Sequence, residues 1–181
     1  PLTDIEAPET TMPFYDHIEI CNRHDMSGYL PFHVSRQRIG YIGIELANLL
    51  AERMEVIERH GEELYLNGAL SGFESRSAAM ADLVEELARS RHIPGLRGEM
   101  FPVAAEFGDP PLMQIDRAAV PPFGIRSYGV HINGYVRKVN GSIHMWLGRR
   151  GANQILCPGM LDNMVAGSQP IGLSPVDNVV K

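Results

Sequence analysis

The chain has 181 residues, 44% of them hydrophobic, with two cysteines, one tryptophan and a formal net charge of −6. That apolar fraction supports a buried core and argues against wholesale disorder, and no apolar run approaches the roughly 18 residues of a membrane-spanning helix. The charge is uneven: residues 1–116 carry 9 Lys/Arg against 20 Asp/Glu, whereas residues 117–181 carry 7 against 2, which argues against a general nucleic-acid binder and suits the second part to a small anionic ligand.

Residues 1–12 read as a loose, acidic arm with no secretory character. Cys21 and Cys157 lie too far apart for a redox or metal spacing, so the expectation is two reduced thiols in a cytoplasmic protein. Phe14, Ile18 and Cys21 recur at i, i+4 and i+7 and predict a short amphipathic helix ending near Asp25–Gly28. YLPFHVSRQRIGYI predicts two short strands around a turn. ELANLLAERMEVIERHG is the clearest helical pattern: Leu46, Leu49, Leu50, Met54 and Ile57 form one stripe, and Gly61 is placed to stop it. SRSAAMADLVEELARSRHIPG predicts a second helix with Ala79, Leu83, Val84 and Leu87 inward and Pro94–Gly95 terminating it. FGDPPL and VPPFG read as Pro-rich breaks. The domain junction is expected near Arg117–Phe123, dividing the chain into 1–118 and 119–181, with an α+β fold throughout.

Beyond the junction the period changes to two. Val130, Ile132 and Val136 alternate with His131, Asn133, Tyr135 and Arg137, and SIHMWLGRR continues with Ile143, Met145 and Leu147 on one face. Asn140–Gly141 between these stretches predicts a two-residue hairpin. Asn133–Gly134 predicts a bulge or a close backbone approach. The last stretch, GLSPVDNVVK, carries helix start signals: Ser174 as N-cap, Pro175 at the first helical position and Asp177 to complete a capping box.

Several chemistries leave no trace. The histidines at 17, 24, 33, 60, 92, 131 and 144 make no HxxxH or HExxH spacing, and neither a Walker loop nor a GxSxG elbow occurs. The candidate ligand segment is GRRGANQILCPGMLDNMVAGSQPIGLSP. Its glycines 148, 151, 159, 167 and 172 expose backbone to an approaching ligand, and Arg149 and Arg150 can pair with phosphate oxygens.

FGIRSYGVHINGYV, MWLGRR, PGMLDNMVAG and GLSPVDNVVK resemble Nudix hydrolases of the thiamine-diphosphate-phosphatase-like group, in which an N-terminal domain of unknown function (DUF4743-like) precedes the Nudix domain. FYDHIEICNRH, LPFHVSRQRIGYI and FPVAAEFGDPPLMQIDRAAVPPFGI resemble that first domain. The resemblance implies that residues 119–181 are the first part of a Nudix α/β/α sandwich. It also implies a Mg²⁺-dependent (alternatively Mn²⁺-dependent) diphosphatase of a small organic molecule, with thiamine-diphosphate-like compounds as one substrate reading. It makes Arg149, Arg150, His131 and Trp146 candidates for substrate contact and the Gly167 carbonyl a candidate metal contact, and it implies neither a nucleic-acid nor a membrane partner.

The family signature is a glycine, five residues, a glutamate, seven residues, then Arg-Glu-x-x-Glu-Glu. Gly167 fits the glycine, Leu173 stands in place of the first glutamate, and Lys181 stands at the arginine. The group's Arg-Ser-x-x-Lys run is Arg150-Gly151-Ala152-Asn153-Gln154 here, and its double glycine is Gly167-Ser168. The expectation is that the chain breaks off before the metal-binding carboxylates and is inactive alone. The alternative of another class is a non-catalytic ligand-binding or homodimerisation module.

Overall fold

Leu30, Phe32 and Val34 alternate with Tyr29, Pro31 and His33. In the computed structural model, which describes residues 13–154 and 157–180, they form a strand with every second side chain buried. The expected arm at residues 1–12 and Lys181 lie outside the described residues. Helix α1 (Phe14–Asn22) forms, but it ends short of the expected Asp25–Gly28, and Ile18 and Cys21 of its expected apolar face are exposed. Strand β1 (Tyr29–Val34) turns at Ser35–Arg36, with Ser35 at φ 57°, into the antiparallel β2 (Gln37–Gly43). The predicted strand pair is present.

The predicted helix over ELANLLAERMEVIERHG is corrected. Helix α2 covers only Ile44–Leu50, and Ile57–His60 is strand β3. Gly61 does not stop a helix. At φ 65° it turns a hairpin into β4 (Glu63–Leu66), with His60 paired to Glu63 and Ile57 to Leu66. The reason is burial: β-branched Ile57 and the alternating Leu64 and Leu66 fill the sheet's inner face, while Met54 of the supposed stripe is 69% exposed. Asn67 ties down the linking turn by donating to the Met54 carbonyl at 2.9 Å. The sheet order is β2-β1-β4-β3, with β1 and β4 parallel.

Helix α3 (Phe73–Arg89) buries Met80, Leu83, Val84 and Leu87 along one stripe. It ends before Pro94–Gly95, in a reverse turn with Arg91 at φ 62°. There the His92 N–H donates to the Leu87 carbonyl at 2.9 Å and the Arg91 N–H to the Ala88 carbonyl at 3.1 Å, the two bonds of a Schellman stop. Strands β5 (Met100–Val103) and β6 (Met113–Asp116) form an antiparallel ribbon. The Gln114 N–H on β6 donates to Ser77 Oγ of α3 at 3.0 Å.

One buried cluster joins Leu30 to Ile125, with Phe32, Ile42, Leu50, Leu64, Met80, Met113 and Phe123 fully enclosed. Beyond Ile125, only Gln169 and Pro170 are buried among the described residues. That later part is built from β7 (Gly129–Ile132), β8 (Tyr135–Arg137), β9 (Ile143–Met145), β10 (Leu147–Arg149), β11 (Leu161–Asn163) and β12 (Val165–Ser168). They pair as three antiparallel ribbons, β7–β12, β8–β9 and β10–β11.

A hairpin forms at Asn140–Gly141, but its loop has three residues, Val139 to Gly141, and not the expected two: the Lys138 N–H donates to the Ser142 carbonyl at 2.8 Å, and only Gly141 takes a positive φ, 84°. Asn133–Gly134 links β7 to β8, and a Cβ at Gly134 would stand 2.8 Å from Met164 Sδ, which is the close approach expected. Helix α4 (Pro175–Val180) starts on the predicted cap, with the Asp177 N–H donating to Ser174 Oγ at 3.1 Å. The overall class is α+β, as expected. No described helix is long and apolar enough to cross a membrane.

Candidate functional site

The site is built where the later ribbons fold back onto the core. Asp116 ends β6 and is 8% exposed. Its carboxylate accepts from the backbone N–H groups of Arg97 at 3.0 Å, Gly98 at 2.8 Å and Ala118 at 2.8 Å, and so caps the 3₁₀ turn Arg117–Ala119. That turn presents Arg117. The following 120–125 segment locks against β2 by glycine-on-backbone contact. A Cβ at Gly40 would lie 2.3 Å from the Phe123 carbonyl oxygen, and one at Gly124, whose φ is 58°, would lie 2.1 Å from the Tyr41 carbonyl oxygen.

From this anchor the chain enters β7, which β12 pairs with His131 opposite Ala166 and Val130 opposite Gly167. Between the ribbon and the core lies a cleft of ≈ 440 Å³, walled by Arg117, Ser127, Tyr128, His131, Gly167 and Ser168 among others. Its polar groups suit an anion. The Arg117 guanidinium is 2.9 Å from Glu99 and 53% exposed. Asn163 donates its side-chain N–H to His131 Nδ1 at 3.0 Å, which puts the proton of the neutral ring on Nε2 and leaves that N–H for a ligand. Ser127 and Ser168 add hydroxyls.

The sequence candidates are divided by the fold. His131 and Gly167 come together in the cleft. Arg149 and Arg150 do not line it: Arg149 donates to the Gly159 carbonyl at 2.9 Å, and Arg150 pairs with Asp162 at 2.5 Å. The Arg150 hydrogen bond, with help from the Asn163 N–H, holds the Asp162 carboxyl below the usual carboxylate range. Trp146 also lies outside the lining. Its N–H on the backbone donates to the Gly134 carbonyl at 2.9 Å, and its ring is 45% exposed near Met164. Arg117, Ser127 and Tyr128 were missed as site residues, because only the return of β12 onto β7 gives them a shared space. The serine and tyrosine do stand directly before the recognised GVHINGY stretch.

A metal was tested against these residues and does not fit. No group of three or more His, Cys, Asp and Glu able to hold an ion occurs among the described residues. Asp162 is engaged by Arg150, and Asp177 accepts from its own helix cap, Ser174 Oγ, at 2.6 Å. Mg²⁺ favours near-octahedral oxygen ligation with carboxylates, and Gly167 alone does not supply it.

An α+β core with a polar cleft at its later ribbons is the class that the fold and site define. The chain belongs to the DUF4743 family, whose model, described as a domain of unknown function, matches residues 13–127. Two Arabidopsis thaliana proteins are similar over 93% of the chain. They are named Nudix hydrolase 20, chloroplastic, at 36% identity, and Nudix hydrolase 24, chloroplastic, at 34%. An uncharacterized Saccharomyces cerevisiae protein is 33% identical over 48% of the chain and 27% of its own length. The chain spans about half the length of the two plant relatives, 48% and 47%. The expectation of a cytoplasmic protein is corrected: these relatives are named chloroplastic and point to a plastid. Its basis, two widely spaced cysteines read as reduced thiols, separates reducing from oxidising compartments and does not tell the cytoplasm from a plastid.

Proposed function

We propose that the whole protein to which these residues belong is a Nudix-type hydrolase of a diphosphate linkage in a small organic molecule. The similarity to two proteins named Nudix hydrolases carries the reading. The finer substrate reading is a thiamine-diphosphate-like compound, with neither nucleic acid nor membrane as partner. In this reading the cleft binds the diphosphate: Arg117 supplies charge, His131 Nε2–H and the Ser127 and Ser168 hydroxyls donate, and Gly167 leaves room for oxygen to approach the backbone. Arg149 and Arg150 contribute by holding the β10–β11 loop, and Trp146 by packing beside Met164. A division after Ile125 suits the core better than the expected 118/119, because Ala119, Val120, Phe123 and Ile125 still belong to the same buried cluster.

Mg²⁺ (or Mn²⁺) supplies phosphate charge neutralisation and water activation in such chemistry. The described residues do not hold it, so the 181-residue chain alone does not turn over. Calorimetric titration with inorganic pyrophosphate tests the cleft. Arg117→Ala and His131→Ala each weaken binding about tenfold, the loss of one hydrogen bond to a charged group. Unchanged affinity in both variants contradicts the assignment.

A second reading, a non-catalytic dimerisation module, is favoured by the uncovered ribbons: Val136, Ile143, Met145, Trp146 and Leu147 are 43–57% exposed. Light scattering separates the two, since a concentration-independent monomer removes the assembly reading.

A further inference from the structure

Asn163 ends β11 opposite Leu147, and two residues later Val165 opens β12 opposite Ile132. The residue stands where the chain leaves one ribbon for the ribbon that walls the cleft. Its side-chain Nδ2 has two partners there, the Val165 carbonyl at 2.8 Å and His131 Nδ1 at 3.0 Å. The first partner settles the second. A backbone carbonyl only accepts, so the group between them is the amide NH₂ and not the amide oxygen. Its other N–H then meets Nδ1, which has to accept, and the proton of the neutral imidazole stands on Nε2. That nitrogen is on the cleft side. A Cβ at Gly129 would be 3.8 Å from Nε2 and 2.9 Å from the Gly167 carbonyl oxygen, and Gly129, His131 and Gly167 all line the cleft. Asn163 is braced in turn: its backbone N–H donates to Asp162 Oδ1 at 2.9 Å, and Asp162 Oδ2 accepts from Arg150 at 2.5 Å.

We propose that Asn163 is a positioning residue. It fixes the ring and the proton of His131, so that the cleft meets its ligand with an N–H and not with a lone pair. The consequence for binding rests on reading the cleft as the diphosphate site. With the proton on Nε2, Arg117, Ser127, Tyr128, His131 and Ser168 can all donate, which suits an oxyanion that only accepts. With the proton on Nδ1, the imidazole would turn a lone pair toward the phosphate oxygens and oppose them. Asn163 acts through His131 and is not itself part of the cleft lining. An aspartate has the same shape but, when ionised, accepts only. At this position it draws the proton to Nδ1 and reverses the ring's polarity toward the cleft. The assignment also gives the Arg150–Asp162 pair a place behind the site, as the brace of the residue that orients His131.

The test joins a spectroscopic signature to a binding cycle on the 181-residue chain. Ring ¹⁵N resonances of His131, assigned by their loss in His131→Ala, are recorded at about pH 9, where an ordinary imidazole is neutral. Wild type shows a protonated Nε2 and an unprotonated Nδ1, and Asn163→Asp exchanges the two. A wild-type ring with its proton on Nδ1 overturns the proposal whatever the variants do, and so does a tautomer that Asn163→Asp leaves unchanged. Calorimetric titration with inorganic pyrophosphate then reads the consequence. Asn163→Asp weakens binding about tenfold in the wild-type background. In the His131→Ala background the same change has little further effect, because the ring it acts through is gone. A full tenfold loss in that background means that the new charge or a disturbed fold is responsible, and it overturns the positioning role. A tautomer that exchanges as expected, in a chain that binds no pyrophosphate at all, upholds Asn163 as the residue that sets His131 and removes the diphosphate reading instead.

Discussion

Gly124 has no room for a methyl group: its Cβ position collides with the Tyr41 carbonyl oxygen at 2.1 Å, and its φ is 58°. Gly124→Ala combines left-handed strain with overpacking and destabilises by about 3 kcal/mol, read as a lower urea midpoint at unchanged slope. Because this residue seats the segment that leads into β7, the same variant disturbs the cleft. Asp162 is the residue whose charge the fold uses most plainly. Its pKa is lowered by Arg150 first and by the Asn163 N–H second. A depressed folded pKa contributes stability above the unfolded value of about 3.9, and that contribution is lost as pH falls through the folded value. Wild type therefore unfolds at higher temperature than Asp162→Asn at neutral pH, and the two converge at acid pH. A gap that does not narrow as pH falls below about 3.9 contradicts this.

At the scale of elements, caps and turns were legible and period was ambiguous. Asn140–Gly141 declared a hairpin between alternating stretches but not its length: the loop has three residues, with Gly141 alone at positive φ. Ser174 and Asp177 declared α4 in the same way. Ser174→Ala removes about 1 kcal/mol of capping, read as roughly fivefold faster amide exchange at Asp177, and unchanged exchange contradicts the cap. The α2–β3 boundary was not legible. Leu46, Leu49 and Leu50 set a helical stripe that Ile57 happens to continue in register, and Gly61 suits a helix stop and a hairpin equally. What decided it was the partner strand ELYL, whose Leu64 and Leu66 require Ile57 beside them in the sheet. The β5–β6 ribbon was hidden because FGDPPL read only as a break, whereas it connects the two strands, and Pro102 sits within β5, which a two-stranded ribbon accommodates.

For the whole molecule, the cleft draws on both stretches of sequence: Phe101 and Val120 belong to the buried core and line it together with residues of the later ribbons. Residues 30–125 supply the enclosed apolar cluster, while His131, Gly167 and Ser168 reach the cleft from ribbons that are largely exposed. His131 and Gly167 were candidates from the family resemblance, and the fold places both on the cleft lining. Arg117 and Tyr128 were not, because their approach to those residues depends on β12 returning to β7. The arginine pair looked like the phosphate contact from composition, yet Asp162 and the Gly159 carbonyl engage it inside the β10–β11 region. The cleft offers donors and one guanidinium, and no carboxylate cluster occurs among the described residues, so the proposed function assigns this chain binding without turnover. Phosphate release from thiamine diphosphate in Mg²⁺ buffer, measured side by side for the 181-residue chain and for a protein of the relatives' full length, tests that separation most directly. The account predicts hydrolysis by the longer protein and only the buffer rate from the chain, whereas equal turnover by the two contradicts it.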